Sequence, residues 1–304
     1  MRSRSFLESQ PFAESLLALC TVIWGGTYIA IKFGLEGMDP FPLVAVRFLL
    51  AALLMLPFLL SPGRAWAASV PMGLWLGFLL FIGIGFQTIG LVYTTAAKSG
   101  FITGMFVVIT PFLHWLLNRR RPRLVNYIGI GLVLAGLYLL TWPPGGSLTG
   151  FNLGDALTIF SAIGYSFYIV FLDRVRDEDD TVVLIFYQMG FTALLSAVTA
   201  VVLQETAFDP DLGGVLSLAY LILPGTLFIV YIQTRFQNRS NPIRTAIIFS
   251  LEPVFAALFA WWVLGEGLTN RGLAGAGLML LGVVLSATWR LIFTETWRLS
   301  RKDS

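Results

Sequence analysis

The amino-acid sequence predicts an all-α polytopic membrane protein, with ten transmembrane helices arranged as two inverted five-helix repeats around a central cavity. Three observations lead to this prediction. First, 12% of the 304 residues are charged and 57% are hydrophobic, whereas a soluble domain carries about 25% charged residues. Second, long stretches such as 65–97 and 124–154 contain no Asp, Glu, Lys or Arg. Third, short motifs recur 142 residues apart.

Ten apolar stretches are the predicted membrane spans. Each is close to the length of about 20 residues that crosses a bilayer as a helix. They are too long for strands, and they lack the alternating pattern that is typical of membrane barrels. The predicted spans are 14–35, 41–60, 70–93, 98–118, 124–142, 152–172, 181–204, 214–236, 241–264 and 271–290.

The distribution of basic residues predicts which side of the membrane each loop faces. If the N-terminus is cytoplasmic, 16 of the 20 Lys and Arg residues fall in inner segments and three fall in outer segments. Cytoplasmic loops carry such an excess of positive charge, so both termini are expected in the cytoplasm. The basic residues therefore reflect topology, and we expect membrane lipid rather than nucleic acid as a partner.

The sequence divides into two related halves, 1–146 with helices one to five and 147–304 with helices six to ten. Residues 99–111 of span four correspond to residues 241–253 of span nine, because each stretch has Thr at its fifth position and Pro at its thirteenth. Five is an odd number, so the second half should be inverted relative to the first. Inverted repeats are a signature of secondary transporters, which bind their substrate near the midplane.

Several short motifs then resemble a known family. They are the segment Trp24-Gly-Gly-Thr-Tyr28 in span one, Arg47 in span two, Glu252-Pro253 in span nine and Gly265-Glu266 before the last span. In this order they resemble the EamA-like branch of the drug/metabolite transporter superfamily, and most closely the bacterial exporters of aromatic and other amino acids. The resemblance covers nearly the whole chain. It implies ten helices around a central cavity, with spans five and ten packed to one side.

Two charged residues lie well inside predicted spans, and such residues are candidates for function. Glu252 could contact a substrate amine or take up a proton, or it could fix the turn that Pro253 imposes on the helix. Arg47 could hold a substrate carboxylate through two hydrogen bonds. Alternatively, it could extend to the outer surface or pair with Glu36 or Asp39.

The other candidate substrate-binding residues are aromatic side chains and uncharged polar side chains inside the spans. If they face inward, they form an apolar chamber with hydroxyl and amide groups, suited to Phe, Tyr or Trp side chains. The alternative for each is helix packing or lipid contact, and the repeat mates Thr103 and Thr245 could share a gating role. These residues are Trp24, Tyr28, Gln87, Thr103, Phe106, Thr110, Tyr165, Tyr168, Thr245 and Phe249.

The predicted function is export of aromatic and other neutral amino acids by alternating access, across the bacterial inner (plasma) membrane. Efflux of drugs or other small metabolites by the same fold is the alternative. An enzyme is not expected, because the single His114 and single Cys20 provide no catalytic or metal-binding cluster, and neither a metal nor a cofactor is predicted. Proton coupling and the choice between monomer and dimer stay open, since the Gly131/Ala135 and Gly272/Ala276 spacings fit either a dimer contact or packing within one chain.

Overall fold

Helices account for most of the chain. The computed structural model describes residues 9–61, 63–64, 66–94, 96–119, 122–141, 151–175, 179–265 and 269–300. Within these ranges the extended pairing is one isolated bridge between Met38 and Phe208, which confirms the all-helical prediction. The helices are α1 (Gln10–Gly34), α2 (Pro40–Leu59), α3 (Trp66–Tyr93), α4 (Ala96–Gly104), α5 (Phe106–Asn118), α6 (Leu124–Thr141), α7 (Leu153–Leu172), α8 (Thr181–Leu203), α9 (Leu212–Ile222), α10 (Ile229–Phe236), α11 (Pro242–Phe249), α12 (Glu252–Leu264) and α13 (Asn270–Ser300).

Eight stretches of the described chain are long and apolar enough to cross a membrane. Two further apolar helices, residues 124–140 and 270–286, are shorter and lie at the lower end of the range of about 17–25 residues that spans a bilayer. The last helix continues to Ser300, beyond the predicted end at residue 290. Hydropathy marks where an apolar stretch ends, and residues 291–300 contain neither Gly nor Pro to stop the helix.

Helix starts follow local capping chemistry. The Asp180 side chain accepts hydrogen bonds from the backbone N–H groups of Val182 and Val183 at the start of α8. Asn241 caps α11 in the same way, and Pro242 occupies the first position of that helix. A proline there costs little because its missing N–H would have no partner inside the helix. Such caps fix the helix ends close to the predicted boundaries.

Three of the predicted continuous spans contain a break. Span four is divided at Met105 into α4 and α5, and span nine is divided at residues 250–251 into α11 and α12. Span eight contains a π-helical turn, Leu223–Phe228, between α9 and α10. Pro253 and Pro224 lack the N–H group that a regular helix requires, which accounts for the irregular backbone next to them.

The helices α6 and α13 pack closely against each other through glycines, as the family resemblance implied. A Cβ atom on Gly275 would lie 2.5 Å from the carbonyl oxygen of Gly136, and a Cβ on Gly282 would lie 2.8 Å from that of Gly129. Gly131, in contrast, has open space around it. The glycines of this contact therefore serve packing within one chain.

Large apolar side chains cover much of the outer surface. Phe58, Leu194, Val201, Leu216 and Trp262 are each more than half exposed. A soluble protein rarely exposes so extensive an apolar surface, whereas lipid chains are a suitable environment for it. This surface is consistent with a protein that crosses the membrane many times.

Candidate functional site

A cavity lies between helices from both halves of the chain. Its walls come from α1, α2, α3 and α5 in the first half and from α7, α10, α11 and α12 in the second half. Its volume is about 30 Å³, which is room for water-sized molecules. The lining residues are Trp24, Thr27, Ile31, Arg47, Leu80, Ile84, Gln87, Phe106, Tyr165, Tyr168, Ile169, Gln233, Phe249 and Glu252.

Arg47 lies on the cavity wall and is 3% exposed. Its Nε donates a hydrogen bond to the Thr226 hydroxyl, and its Nη2 donates to the Gly225 carbonyl oxygen at 2.9 Å. Both acceptors belong to the π-helical turn, where irregular backbone leaves carbonyl groups available. The guanidinium has five N–H groups, so it can bind a further anion while keeping both contacts.

The predicted alternative for Arg47 is wrong. Its side chain is buried and does not reach the outer surface. Asp39 instead accepts a hydrogen bond from the Ala207 backbone N–H at 2.8 Å, and Glu36 is exposed. The carbonyl and hydroxyl groups of the π-helical turn bind Arg47 in place of the expected acidic side chains, because such dipoles can also partly neutralise a guanidinium.

Glu252 is the first residue of α12, directly after the break in span nine, and is 9% exposed. A negative charge at a helix N-terminus is stabilised by the helix dipole. The Tyr28 hydroxyl lies beside its carboxyl group. The Glu252 side chain thus lines the cavity at the point where span nine is broken.

Gly25 explains how α1 comes close enough to share this cavity with α12. A Cβ atom on Gly25 would lie 2.8 Å from the backbone nitrogen of Ala256 and equally close to the Phe255 carbonyl carbon. Only glycine permits this approach. The glycine therefore brings the neighbouring Trp24 to the same cavity as Glu252.

Gln87, on α3, forms hydrogen bonds with polar side chains from three other helices. Its Nε2 donates to the Tyr28 hydroxyl at 3.1 Å and to the Thr103 hydroxyl at 3.4 Å. Its Oε1 accepts from the Tyr165 hydroxyl at 3.1 Å. Tyr28 and Thr103 therefore lie behind the cavity wall and hold Gln87 in place, although the sequence predicted them as binding residues.

Aromatic side chains form the apolar part of the wall. The Trp24 and Phe249 rings meet edge to face, with centroids 4.9 Å apart. Phe106 packs in the same buried cluster. The structure thus brings three of the predicted aromatic residues together on one wall.

Tyr168 lines the cavity with its ring, but its hydroxyl points to a different network. The hydroxyl donates to Gln188 Oε1 at 2.8 Å, and Gln188 Nε2 donates to the Thr234 hydroxyl at 3.3 Å. In this arrangement the Tyr168 hydroxyl proton is engaged by Gln188 rather than directed into the cavity. Its ring still contributes to the wall.

Thr110 and Thr245 are fully buried and do not line the cavity. In the described part of the chain, neither hydroxyl oxygen has a hydrogen-bond partner. The structure therefore does not bring these two predicted binding residues to the wall of this cavity. Both lie in the broken spans, and their distance from the span ends could not show which face of the helix is directed inward.

Some wall residues were not predicted, namely Thr27, Ile31, Leu80, Ile84, Ile169 and Gln233. The aliphatic ones carry no signal in a membrane protein, because an apolar side chain suits either lipid or the interior. Thr27 could have been found, since it belongs to the motif that includes Trp24. Among the described residues, no group of three His, Cys, Asp or Glu could hold a metal ion.

Comparisons with known proteins agree with this architecture. The EamA-like transporter family matches residues 11–142 and 152–288. An uncharacterized transporter of Archaeoglobus fulgidus is 34% identical, over 92% of this chain and 90% of the relative. The uncharacterized inner membrane transporter YedA of Escherichia coli K12 is 26% identical, over 96% and 95%. A probable amino-acid metabolite efflux pump of Salmonella typhimurium is also 26% identical, over 89% and 93%.

One solved structure shares the fold. It superposes with a TM-score of 0.74 and covers 90% of this chain and 96% of the other, at 19% identity. The relatives carry transporter names, which confirms the prediction that the chain is not an enzyme.

Proposed function

Because the chain belongs to the EamA-like transporter family, we propose that it is a secondary transporter that exports aromatic and other neutral amino acids from the cytoplasm by alternating access. One observation carries this proposal. A buried guanidinium and a buried carboxyl group, Arg47 and Glu252, line the same aromatic-walled cavity. A zwitterionic amino acid has one group of each opposite charge.

The two charged groups have complementary roles toward such a substrate. Arg47 binds the carboxylate, since a guanidinium can donate two parallel hydrogen bonds to it. Glu252 binds the ammonium group. Ionisable groups are costly inside a membrane, so their presence on one cavity wall favours a functional role. The probable amino-acid metabolite efflux pumps of Salmonella typhimurium and Escherichia coli, which are similar over most of the chain, support this substrate class.

The aromatic wall determines which side chains are preferred. Trp24, Phe106 and Phe249 offer ring edges and faces, and aromatic pairs gain about 0.5–1.5 kcal/mol beyond the burial of their area. Phenylalanine, tyrosine and tryptophan should therefore bind more tightly than alanine. The present volume of about 30 Å³ is far below the roughly 300 Å³ of a small-molecule site, so transport requires the walls to separate.

We also propose ten membrane crossings in two inverted halves, and pairs of acidic residues at matching positions in the two halves support this arrangement. Asp39 and Asp180 precede the second helix of each half and are 141 residues apart. Glu14 and Asp155, also 141 apart, each accept hydrogen bonds from the entrance of a broken span. Glu14 accepts from Ser240 in the loop and from Arg244 at the start of α11, and Asp155 accepts from Thr94. The family also matches the chain as two segments of similar length. These correspondences support the proposed repeat and its division at residue 146.

Contacts between loops support the same topology. Arg64 pairs with Asp180 at 2.9 Å, and Arg174 donates to the Asn118 side chain at 3.1 Å. All four belong to segments proposed to be cytoplasmic. The outer loops contact each other in turn through Met38 and Phe208. We therefore propose cytoplasmic termini and an inner membrane location, in keeping with the relative YedA.

Proton coupling through Glu252 is part of the proposal. A carboxyl group that releases its proton to bind an ammonium group couples substrate movement to proton movement in the opposite direction. The neighbouring Tyr28 hydroxyl, held by Gln87, can stabilise the charged carboxylate. Transport driven by the substrate gradient alone would need no titration of this residue.

Efflux of hydrophobic drugs is the second candidate. The observation in its favour is the aromatic and aliphatic part of the wall, including Trp24, Phe249, Leu80 and Ile84. An apolar cation could stack on the rings and pair with Glu252. Such a cation has no carboxylate for Arg47 to bind. Drug efflux should therefore not depend on Arg47, whereas amino-acid export should.

Transport by purified protein in liposomes tests the proposal. We expect uptake of labelled phenylalanine into proteoliposomes, driven by an opposing pH gradient, at least tenfold above protein-free liposomes. Unlabelled tyrosine and tryptophan should compete, and a cationic dye should not. The double variant Arg47→Gln/Glu252→Gln, which removes both charges and keeps net charge unchanged, should be inactive.

A different outcome would favour the alternative. Uptake of the dye, with no uptake of amino acids and no effect of Arg47→Gln, would replace amino-acid export by drug efflux. A thermal melt of each variant shows whether it is folded, so that loss of transport can be attributed to the cavity.

A further inference from the structure

A second cavity, with a volume of about 380 Å³, lies at one end of the helix bundle. It lies where α5, α7 and α10 end and where α6 and α11 begin. We refer to it as the inner chamber, because the loops around it are those proposed to be cytoplasmic. Its charged lining residues in the described chain are Arg123, Arg239, Arg244, Asp173 and the titratable His114.

The inner chamber carries both signs of charge. Arg244 pairs with Glu14, with its Nη1 3.0 Å from Oε1. The Arg239 guanidinium lies over the Phe236 ring, 5.1 Å from the centroid, and Arg123 is exposed at the rim. Asp173 also lines the chamber, and among its described lining residues positive charge is in excess. A small molecule that combines a carboxylate with an ammonium group fits this pattern.

The inner chamber is connected to the central cavity by α11. Pro242, at the start of this helix, lines the inner chamber, and Phe249, at its end, lines the central cavity. Seven residue steps correspond to about 10 Å along a helix. A ligand in the inner chamber would therefore lie one short helix away from Arg47 and Glu252.

A buried apolar layer separates the two cavities. It consists of Leu17, Phe106, Ile169, Ala246, Ile248 and Phe249, each at most 5% exposed. The Gln237 side chain donates to the Ile169 carbonyl oxygen at 2.7 Å and so fixes one wall of the layer. A polar substrate cannot cross the layer in this conformation, because its charged groups would lose water without gaining partners.

We infer that the inner chamber is a loading site for the zwitterionic substrate, separate from the central cavity. Arg123 and Arg239 bind the carboxylate, and Asp173 binds the ammonium group. A volume of about 380 Å³ accommodates a whole amino acid. This inference rests on the proposed function for the identity of the substrate. It assigns the first binding step to residues that the central cavity does not contain.

Kinetics from the chamber side test the inference. The variants Arg123→Gln and Asp173→Asn should each raise the half-saturating phenylalanine concentration about tenfold, as expected for the loss of one charged hydrogen bond. The maximal rate should stay the same, since the central cavity is intact. The matched control Arg235→Gln removes an exposed arginine that does not line the chamber, and it should change neither value. Equal values for all three variants and the wild type would overturn the inference.

Equilibrium binding separates this inference from the proposed function. In an Arg47→Gln/Glu252→Gln background, labelled phenylalanine should still bind purified protein, and adding Arg123→Gln should weaken that binding about tenfold. Binding that disappears in the background alone would overturn the loading site while leaving the proposed function intact. Transport failure of the wild type, with the chamber binding retained, would instead count against the proposed function.

The phosphate of an anionic lipid could be attracted to the same arginines. Measurements in phosphatidylcholine alone and with added phosphatidylglycerol distinguish the two ligands. We expect the effect of Arg123→Gln on phenylalanine to be the same in both lipids. An effect that occurs only with phosphatidylglycerol would overturn the inference in favour of a lipid headgroup site.

Discussion

Arg47 combines contacts that hold a neighbouring helix with a position on the cavity wall. It fixes the π-helical turn through Gly225 and Thr226, and it faces the cavity that contains Glu252. The positions of Arg47 and Glu252 within predicted spans were sufficient to mark both as candidate residues, because so few charges lie within apolar stretches. The hydrogen-bond partners of Arg47 could not be predicted, since they are a backbone carbonyl and a hydroxyl 178 and 179 residues away.

The variant Arg47→Lys tests the carboxylate-binding role. Lysine keeps the charge but cannot form two parallel hydrogen bonds with a carboxylate. We expect the half-saturating concentration of phenylalanine to rise about tenfold, while inhibition by phenethylamine, which lacks the carboxylate, stays unchanged. Competition against labelled phenylalanine measures both. The same change for both ligands would show that Arg47 has a structural role only.

The variant Glu252→Gln tests the proton-carrying role. Glutamine keeps the shape of the side chain and cannot release a proton at neutral pH. Uptake driven by a pH gradient should fall to the level measured without a gradient, whereas exchange of labelled for unlabelled phenylalanine should persist at a lower rate. Gradient-driven uptake equal to that of the wild type, with the same pH dependence, would exclude Glu252 as the proton carrier.

At the scale of helices, the faces turned toward the cavity were harder to predict than the helices themselves. Thr27 lines the cavity, while Tyr28 lies behind it and binds Gln87. A soluble helix would show its inward face by an apolar stripe. In a membrane both lipid and interior are apolar, so α1 carries no comparable stripe. The break before Glu252 was indicated by Pro253, but the break at Met105 had no such residue to mark it.

The start of α8 provides a test of helix-end electrostatics. Burial raises the pKa of Asp180. The hydrogen bond from Arg64, the backbone amides of Val183 and Val182 and the positive charge of Arg64 together lower it by more, so the pKa of Asp180 lies below its usual value. A carboxyl group with a lowered pKa stabilises the folded state above its unfolded pKa and loses this effect as pH falls through its folded pKa.

The variant Asp180→Asn should therefore lower the melting temperature at pH 7, by an amount equivalent to about 1 kcal/mol. Its deficit should shrink as the pH is lowered below about 4, the ordinary pKa of an aspartic acid, and should disappear only below the lower pKa of the folded carboxyl group. Asp209→Asn, at an exposed acid in another loop, is the control. A deficit that is constant across this pH range would show that the ion pair with Arg64 contributes no stability.

The contact between α6 and α13 provides a second test at this scale. Gly275→Ala places a Cβ against the backbone of Gly136 and Leu140, which forces the two helices apart. We expect a loss of about 1–3 kcal/mol, as for other overpacked sites, measured as a lower melting temperature in detergent. Gly277→Ala, on the same helix but in open space, should have little effect. Equal melting temperatures for the two variants would contradict this packing.

At the scale of the whole molecule, the account requires an even number of crossings between two cytoplasmic termini. The approximate number of apolar stretches could be estimated from the sequence, because long stretches with few charges stand out. In the described chain, eight of them are long enough to span a membrane and two are shorter. The inner chamber could not be predicted from the sequence, since the arginines that line it are the same ones that indicate cytoplasmic loops. Basic residues report the side of the membrane, and only the fold shows which of them meet.

Cysteine labelling tests this topology, because Cys20 is the only cysteine in the sequence and is buried. In a Cys20→Ala background, Thr206→Cys should react with a membrane-impermeant maleimide on intact cells. Arg235→Cys should react only after the membrane is permeabilised. The opposite pattern, or reaction of both sites on intact cells, would contradict the proposed arrangement of the spans.

The central claim is that one cavity recognises both charges of a zwitterionic amino acid. The most direct measurement is displacement of labelled phenylalanine from the purified wild-type protein by phenethylamine, which lacks the carboxylate, and by 3-phenylpropionate, which lacks the ammonium group. The account predicts that each analogue binds at least about tenfold more weakly than phenylalanine, because each leaves one buried charge without its partner. Equal affinities for all three compounds would contradict it.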